Sequence, residues 1–161
     1  MGGSRLPGKP LIKIKGIPMI ERVWNQCRMI KSNEEIFVAT EDKEINNFCD
    51  LKGIQSINTG SAPTAIDRVK LFSDQVQADS YINVQGDEPI VNPKDIEKII
   101  QYNKLNPDRV VFGKTEANEK EFNDYSKAKV VCNKDNRLLY CSRAGIPLNN
   151  KGKFVSASRA I

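Results

Sequence analysis

Short apolar runs alternate with helical patterns along most of this chain, and that alternation limits its fold more than any single motif does. Ile36–Thr40, Ile54–Asn58 and Ser80–Val84 read as strands, and a segment with apolar residues at helical spacing follows each. Asp42–Leu51 turns Ile45, Phe48, Cys49 and Leu51 inward and stops at Gly53. Residues 64–76 set Ile66, Val69, Phe72 and Val76 on one side, and Asn92-Pro93 supplies cap and first turn for a helix reaching Leu105. Upstream, a hairpin-like stretch to Gly16 leads into Pro18–Lys31, where Met19, Ile20, Val23, Trp24, Cys27 and Ile30 share the helical spacing. Val110–Gly113 and Ala128–Cys132 read as further strands, and NKDN at Asn133–Asn136 as a turn into a last strand, Leu138–Cys141. Strands separated by helical patterns of about 10–15 residues require crossover connections. The sequence therefore predicts an α/β fold built of βαβ units: a Rossmann-like, mainly parallel sheet with helices on both faces.

With 161 residues, 39% of them hydrophobic, the chain can bury one core, so residues 1–161 are expected to form a single domain. Its 25 Lys and Arg exceed its 20 Asp and Glu by +5, which suits anionic partners. The basic residues are interspersed with acids, as in EDKE and EANEKE, and no basic stripe forms, so nucleic acid is not an expected partner. There is no histidine, which excludes a His-based triad or a His-ligated metal within the chain. Any metal would be held by oxygen ligands, which points to Mg2+ or a similar hard cation. Cys27, Cys49, Cys132 and Cys141 lack C-x-x-C spacing and read as buried free thiols of a reducing compartment. No apolar run approaches the roughly 20 residues of a membrane span and no signal-peptide core is visible, so the expectation is a cytoplasmic protein with no membrane partner.

In parallel sheets ligands gather at the carboxyl ends of strands, where loops present helix N-termini and short polar side chains to one crevice. Three loops answer to that description: MGGSRLPGKPL at Met1–Leu11, TGSAPTAIDR at Thr59–Arg68 and VQGDEP at Val84–Pro89. The first brings Gly2, Gly3 and Gly8, which allow close backbone approach to a ligand, together with Arg5 and Lys9. Backbone N–H groups in such a loop form a concave anion site, to which Lys9 adds a point charge for phosphate. In the third loop Asp87 and Glu88 follow an apolar run and place carboxylates where a magnesium ion bridging phosphate oxygens would be held. Gln85 offers a donor and an acceptor to a base or sugar, and Gly86 permits a sharp turn. In the second loop Asp67 complements a helix N-terminus, whereas Arg68 is unfavourable there unless an anion or carboxylate faces it. Thr40-Glu41-Asp42 caps the next helix or lines the crevice, and Ser142-Arg143 places a cation at the rim or on the surface.

Taken in order, SRLPGKPL (Ser4–Leu11), VATED (Val38–Asp42), DRV (Asp67–Val69), NVQGDEP (Asn83–Pro89), KVV (Lys129–Val131) and LYCSRAGIP (Leu139–Pro147) span nearly the whole chain. Together they resemble the 3-deoxy-manno-octulosonate cytidylyltransferases, or CMP-KDO synthetases, and NVQGDEP sets these apart from the acylneuraminate cytidylyltransferases. The resemblance implies a fold of the nucleotide-diphospho-sugar transferase type. It also implies transfer of CMP from CTP to the anomeric hydroxyl of an acidic eight-carbon sugar, with release of pyrophosphate, for lipopolysaccharide synthesis. It places Arg5, Gly8, Lys9, Thr64, Arg68 and Gln85 at the nucleotide, Gln85 and Arg143 at the sugar, Mg2+ on Asp87, and Lys9 against charge developing on the leaving pyrophosphate. An 8-amino sugar or a nonulosonate is an alternative acceptor, and a non-catalytic remnant that binds nucleotide is an alternative role. The pattern departs where S-G-T precedes D-R in the family, because Thr64, Ala65 and Ile66 stand there and Ile66 has no hydroxyl. Family members carry a first strand before the position of Met1 and a sugar-binding, dimerising portion after that of Ile161. KGKFVSASRAI from Lys151 no longer follows the pattern, so the chain is expected to be incomplete at both ends.

Overall fold

The computed structural model describes residues 8–154 and 156–160. The chain falls into two compact units, Met1–Pro107 and Asp108–Ile161. The first begins with a 3-10 turn, Lys9–Leu11, and a small antiparallel hairpin of β1 (Lys13–Ile14) and β2 (Ile17–Pro18). Pro18 then fixes the entry into helix α1 (Met19–Cys27), as a proline at a helix start should. Strand β3 (Val38–Thr40) leads through the Asp42 cap into α2 (Lys43–Lys52), which ends on Gly53 in the left-handed conformation at φ 65°. Strand β4 (Ser56–Asn58) pairs in parallel with β3, Val38 opposite Ser56 and Thr40 opposite Asn58. Helices α3 (Ala65–Ser73) and α4 (Pro93–Leu105) complete the unit, with Asn92 capping α4 through Lys94 N–H at 3.0 Å.

Adjacent residues of a strand point to opposite faces, and around β3 they meet different helices. Val38 packs against a core of Ile20 from α1, Ile45 and Cys49 from α2, and Ile54, with Leu11, Trp24 and Phe48 around it. Phe37, one residue earlier, lies 5.3 Å ring to ring from Phe72 of α3, which in turn meets the edge of Tyr81. A βαβ unit with helices on both faces of its parallel strands is therefore present. Two expected inward residues are not inward: Leu51 is 87% and Ile66 is 71% exposed. Each sits at a helix end, where the turn has rotated past the buried stripe.

The expected strand Ser80–Val84 is not a strand. A strand exists by its ladder, and among the described residues nothing pairs with this segment. Tyr81 instead fastens it, donating its hydroxyl to Val76 O at 2.7 Å and accepting from Ala78 N–H at 3.1 Å.

The second unit is a four-stranded antiparallel sheet in the order β5-β8-β6-β7. Its strands are β5 (Lys114–Ala117), β6 (Lys129–Cys132), β7 (Leu138–Ser142) and β8 (Ala157–Ala160), with a short helix α5 (Glu119–Asn123) after β5. The strand expected at Val110–Gly113 starts only at Lys114, because the ladder with β8 opens at Lys114 opposite Ala160. The NKDN turn joins β6 to β7 as expected, with Asn133 Oδ1 accepting from Asp135 N–H and Arg137 N–H at 3.0 and 2.8 Å. Phe122, Ala117 and Ala157 are buried together, with Phe154 against them. No helix among the described residues is long and apolar enough to cross a membrane.

All four cysteines are free. Cys49 is buried as expected, Cys27 and Cys132 are half-buried, and Cys141 is exposed on β7, the last strand of the sheet among the described residues.

Candidate active site

Gly8 carries φ 66°, a left-handed conformation that glycine adopts without strain, and it turns the chain into the 3-10 segment that holds Lys9. Leu11 N–H closes this turn on Gly8 O at 2.9 Å, and the Leu11 side chain packs into the core around Ile20. The Gln85–Glu88 loop rests on the same residue: a Cβ built on Gly86 would lie 3.8 Å from Ile20 Cδ1. Glu88 N–H donates to Gln85 O at 3.1 Å, closing that loop as a turn. Two loops far apart in sequence are thus seated on the first turn of α1.

From these seats Lys9 Nζ reaches Asp87 Oδ2 at 2.7 Å, with each side chain 40% exposed. Gln85, two residues before Asp87, is exposed. The pair presents an ammonium that can donate to phosphate oxygens and a carboxylate that can hold a cation, both open to a ligand. Among the described residues no group of three or more acidic or cysteine side chains gathers as a metal site. One carboxylate is nevertheless a fitting donor set for magnesium, which keeps several waters and takes phosphate oxygens alongside one or two protein carboxylates.

Arg68 does a different job. Its NH1 donates to Thr59 Oγ1 at 2.6 Å and to Gly60 O at 3.1 Å, while NH2 pairs with Glu41 Oε1 at 3.3 Å. With its side chain only 16% exposed, the guanidinium ties the chain just after β3 to the chain just after β4. Asp42, not Glu41, caps α2, accepting from Glu44 N–H at 2.8 Å. The facing carboxylate that the sequence demanded for Arg68 is Glu41. The Thr59 hydroxyl was not anticipated, although its place in T-G-S at a strand end is a signal for it.

Thr64 spends its hydroxyl locally. It donates to Asp67 Oδ2 at 2.7 Å and accepts from Asp67 N–H at 3.2 Å, a reciprocal cap on α3. Arg143 belongs to the second unit, where NH1 donates to Tyr125 O and Ser126 O at 3.2 and 2.7 Å. The fully buried Lys129 takes the flanking carbonyls of the same loop, Asp124 O and Lys127 O, at 2.8 and 2.7 Å. Arg5 lies outside the described residues. The structure thus brings Lys9 and Asp87 together, and engages Thr64, Arg68 and Arg143 with the protein's own groups.

Comparison with known proteins gives this arrangement a family. A 3-deoxy-manno-octulosonate cytidylyltransferase of Escherichia coli is 37% identical over 148 residues, 91% of this chain and 60% of the relative. An 8-amino-3,8-dideoxy-manno-octulosonate cytidylyltransferase of Shewanella halifaxensis is 34% identical, covering 93% of this chain and 64% of the relative. The chain thus spans less than two thirds of the length of these relatives. Among solved structures, a CMP:2-keto-3-deoxy-manno-octonic acid synthetase complexed with CTP superposes with a TM-score of 0.89 at 33% identity, over 99% of this chain and 67% of that one. The α/β fold is therefore that of the nucleotide-diphospho-sugar transferases. The sequence model of the cytidylyltransferases matches residues 1–155, and the chain belongs to that family.

Proposed function

We propose that the chain carries the nucleotide site of an enzyme that transfers CMP from CTP to 3-deoxy-manno-octulosonate and releases pyrophosphate. The observation that carries this reading is the exposed Lys9–Asp87 pair at 2.7 Å, an ammonium and a carboxylate side by side on two loops that rest on α1. In-line attack of a sugar hydroxyl on the α-phosphorus needs positioning and charge neutralisation rather than a covalent intermediate. Lys9 donates to the phosphate oxygens and offsets charge developing on the leaving pyrophosphate. Asp87 holds Mg2+, which when bound screens the triphosphate charge. Gly8 lets the loop approach the phosphates, Gln85 faces the base or sugar, and Arg5 adds a second cation to the triphosphate loop. Arg68 and Thr64 shape the loop beside the nucleotide, Arg68 through Glu41 and Thr59.

The sugar is an acidic eight-carbon one, with the 8-amino variant as second candidate because relatives bearing that name match almost as well. The activated sugar would serve lipopolysaccharide synthesis in the cytoplasm, and the complete enzyme would work as a homodimer. Pyrophosphate release, measured with magnesium and either sugar while CTP, UTP, ATP and GTP are compared, tests the reading. CTP alone should support release, and Lys9→Met should lower the rate by about 100-fold, the scale for losing one donor to a developing oxyanion. CTP that raises the melting temperature without pyrophosphate release would mark a nucleotide-binding remnant. Neither effect with any nucleotide would overturn the reading.

A further inference from the structure

Lys9 and Asp87 are separated by 78 positions in sequence, yet each stands in the place where the other's ligand would go. The paired ammonium and carboxylate sum to no net charge, so neither a lone polyanion nor a lone cation meets a strong field there. We propose that this pair is a latch, opened when a triphosphate and a divalent cation arrive together and resisting either one alone. The proposal rests on the reading of Lys9 as a phosphate ligand and Asp87 as a cation ligand.

The geometry suits a latch. Both side chains are 40% exposed, so the contact opens to solvent without disturbing the core. Both loops are held through Leu11 and Gly86 at Ile20, so opening needs only side-chain rotation. Lys31–Glu35, Lys70–Asp74 and Lys98–Asp95 are, by contrast, local pairs three or four residues apart. A metal-free triphosphate that takes Lys9 leaves the Asp87 carboxylate bare beside its own negative charge. A cation that takes Asp87 alone leaves the Lys9 ammonium unpaired beside it. When both bind, each group exchanges one partner for another of the same sign, and nothing is left uncompensated.

The consequence runs against intuition: removing the cation ligand should tighten metal-free nucleotide binding. Calorimetric titration of CTP in EDTA should show Asp87→Asn binding about two- to fivefold tighter than the wild-type chain, the range expected for freeing one exposed ion pair. That gain should shrink in the Lys9→Met background, where no latch remains and only the direct repulsion between Asp87 and the triphosphate is relieved. Conversely, Lys9→Met should bind Mg2+ alone more tightly than wild type by a similar factor. Circular dichroism melts establish that each variant is folded. A gain from Asp87→Asn that persists undiminished in Lys9→Met would show that Asp87 merely repels phosphate, and would overturn the latch. No gain from Asp87→Asn would overturn it too, while leaving the nucleotide reading intact if CTP with magnesium still binds. No binding of CTP to the wild-type chain under either condition would remove both.

Discussion

Glu121 pairs with two cations of the second unit. Its Oε1 accepts from Lys127 Nζ at 2.7 Å and pairs with Arg159 Nε at 3.0 Å, and its Oε2 accepts from Asn118 N–H at 3.3 Å. The Lys127 hydrogen bond, followed by the Asn118 N–H, holds the carboxyl below its ordinary value of 4.5. A depressed folded value means that the stabilisation is complete above the unfolded pKa and is lost as pH falls through the folded one. Glu121→Gln should therefore lower the urea midpoint at pH 7, and the gap to wild type should close as pH falls below about 4.5. A gap unchanged with pH would assign the effect to packing instead. The sequence shows such charges but not their partners. Arg68 was legible as a cation awaiting a carboxylate, while Glu41, Thr59 and Gly60 become its partners only once β3 and β4 lie side by side. Lys9 and Asp87 were legible one by one, and their contact was not, because it depends on two loops meeting at Ile20.

At the scale of elements, α5 and the chain that follows β7 meet at one tight point. A Cβ on Gly145 would lie 2.4 Å from Phe122 Cε1, and Phe122 has little room to retreat, being 4% exposed with Phe154 at 5.0 Å. Gly145→Ala should destabilise the second unit by about 1–3 kcal/mol, the usual cost of overpacking, read as a lower urea midpoint. An unchanged midpoint would mean that the Phe122 ring moves freely. The helices of the first unit were legible because each carries its own signals: Asp42 and Gly53 bound α2, Thr64 and Asp67 open α3, and Asn92-Pro93 open α4. Strands were legible only where a partner exists. Ser80–Val84 and Val110–Gly113 have the right residues, and among the described residues nothing pairs with them. The reverse holds for β8: ASRA has little intrinsic strand preference, and its place between β5 and β6 imposes the conformation. The α5 helix could have been found, since Asn118 and Glu121 form a reciprocal cap at the spacing of a capping box.

Across the molecule the four free thiols differ in what reaches them, and that difference reports on folding. Cys49 has no exposed surface in the core of the first unit, and burial, then the nearby Asp50 charge, pushes its thiol up to about 11. Burial also raises Cys27. Because the thiolate is the nucleophile, at pH 8 only about one Cys49 in a thousand is ionised even before access is considered. Cys141 stands exposed on the edge strand β7. Iodoacetamide at pH 8 should therefore modify Cys141 first and Cys49 last, with peptide mass spectrometry following each site. Modification of Cys49 has to wait for its surroundings to open, so its rate should climb steeply with urea while that of Cys141 changes little. CTP with magnesium, if it seats on the Lys9 and Asp87 loops that rest on Ile20, binds beside the core that contains Cys49. Bound ligand should then slow Cys49 modification in mild urea and leave Cys141 unaffected. Cys49 reacting as fast as Cys141 without denaturant would mean that this core is not closed, and a ligand that slowed both thiols equally would not be acting through the first unit's core.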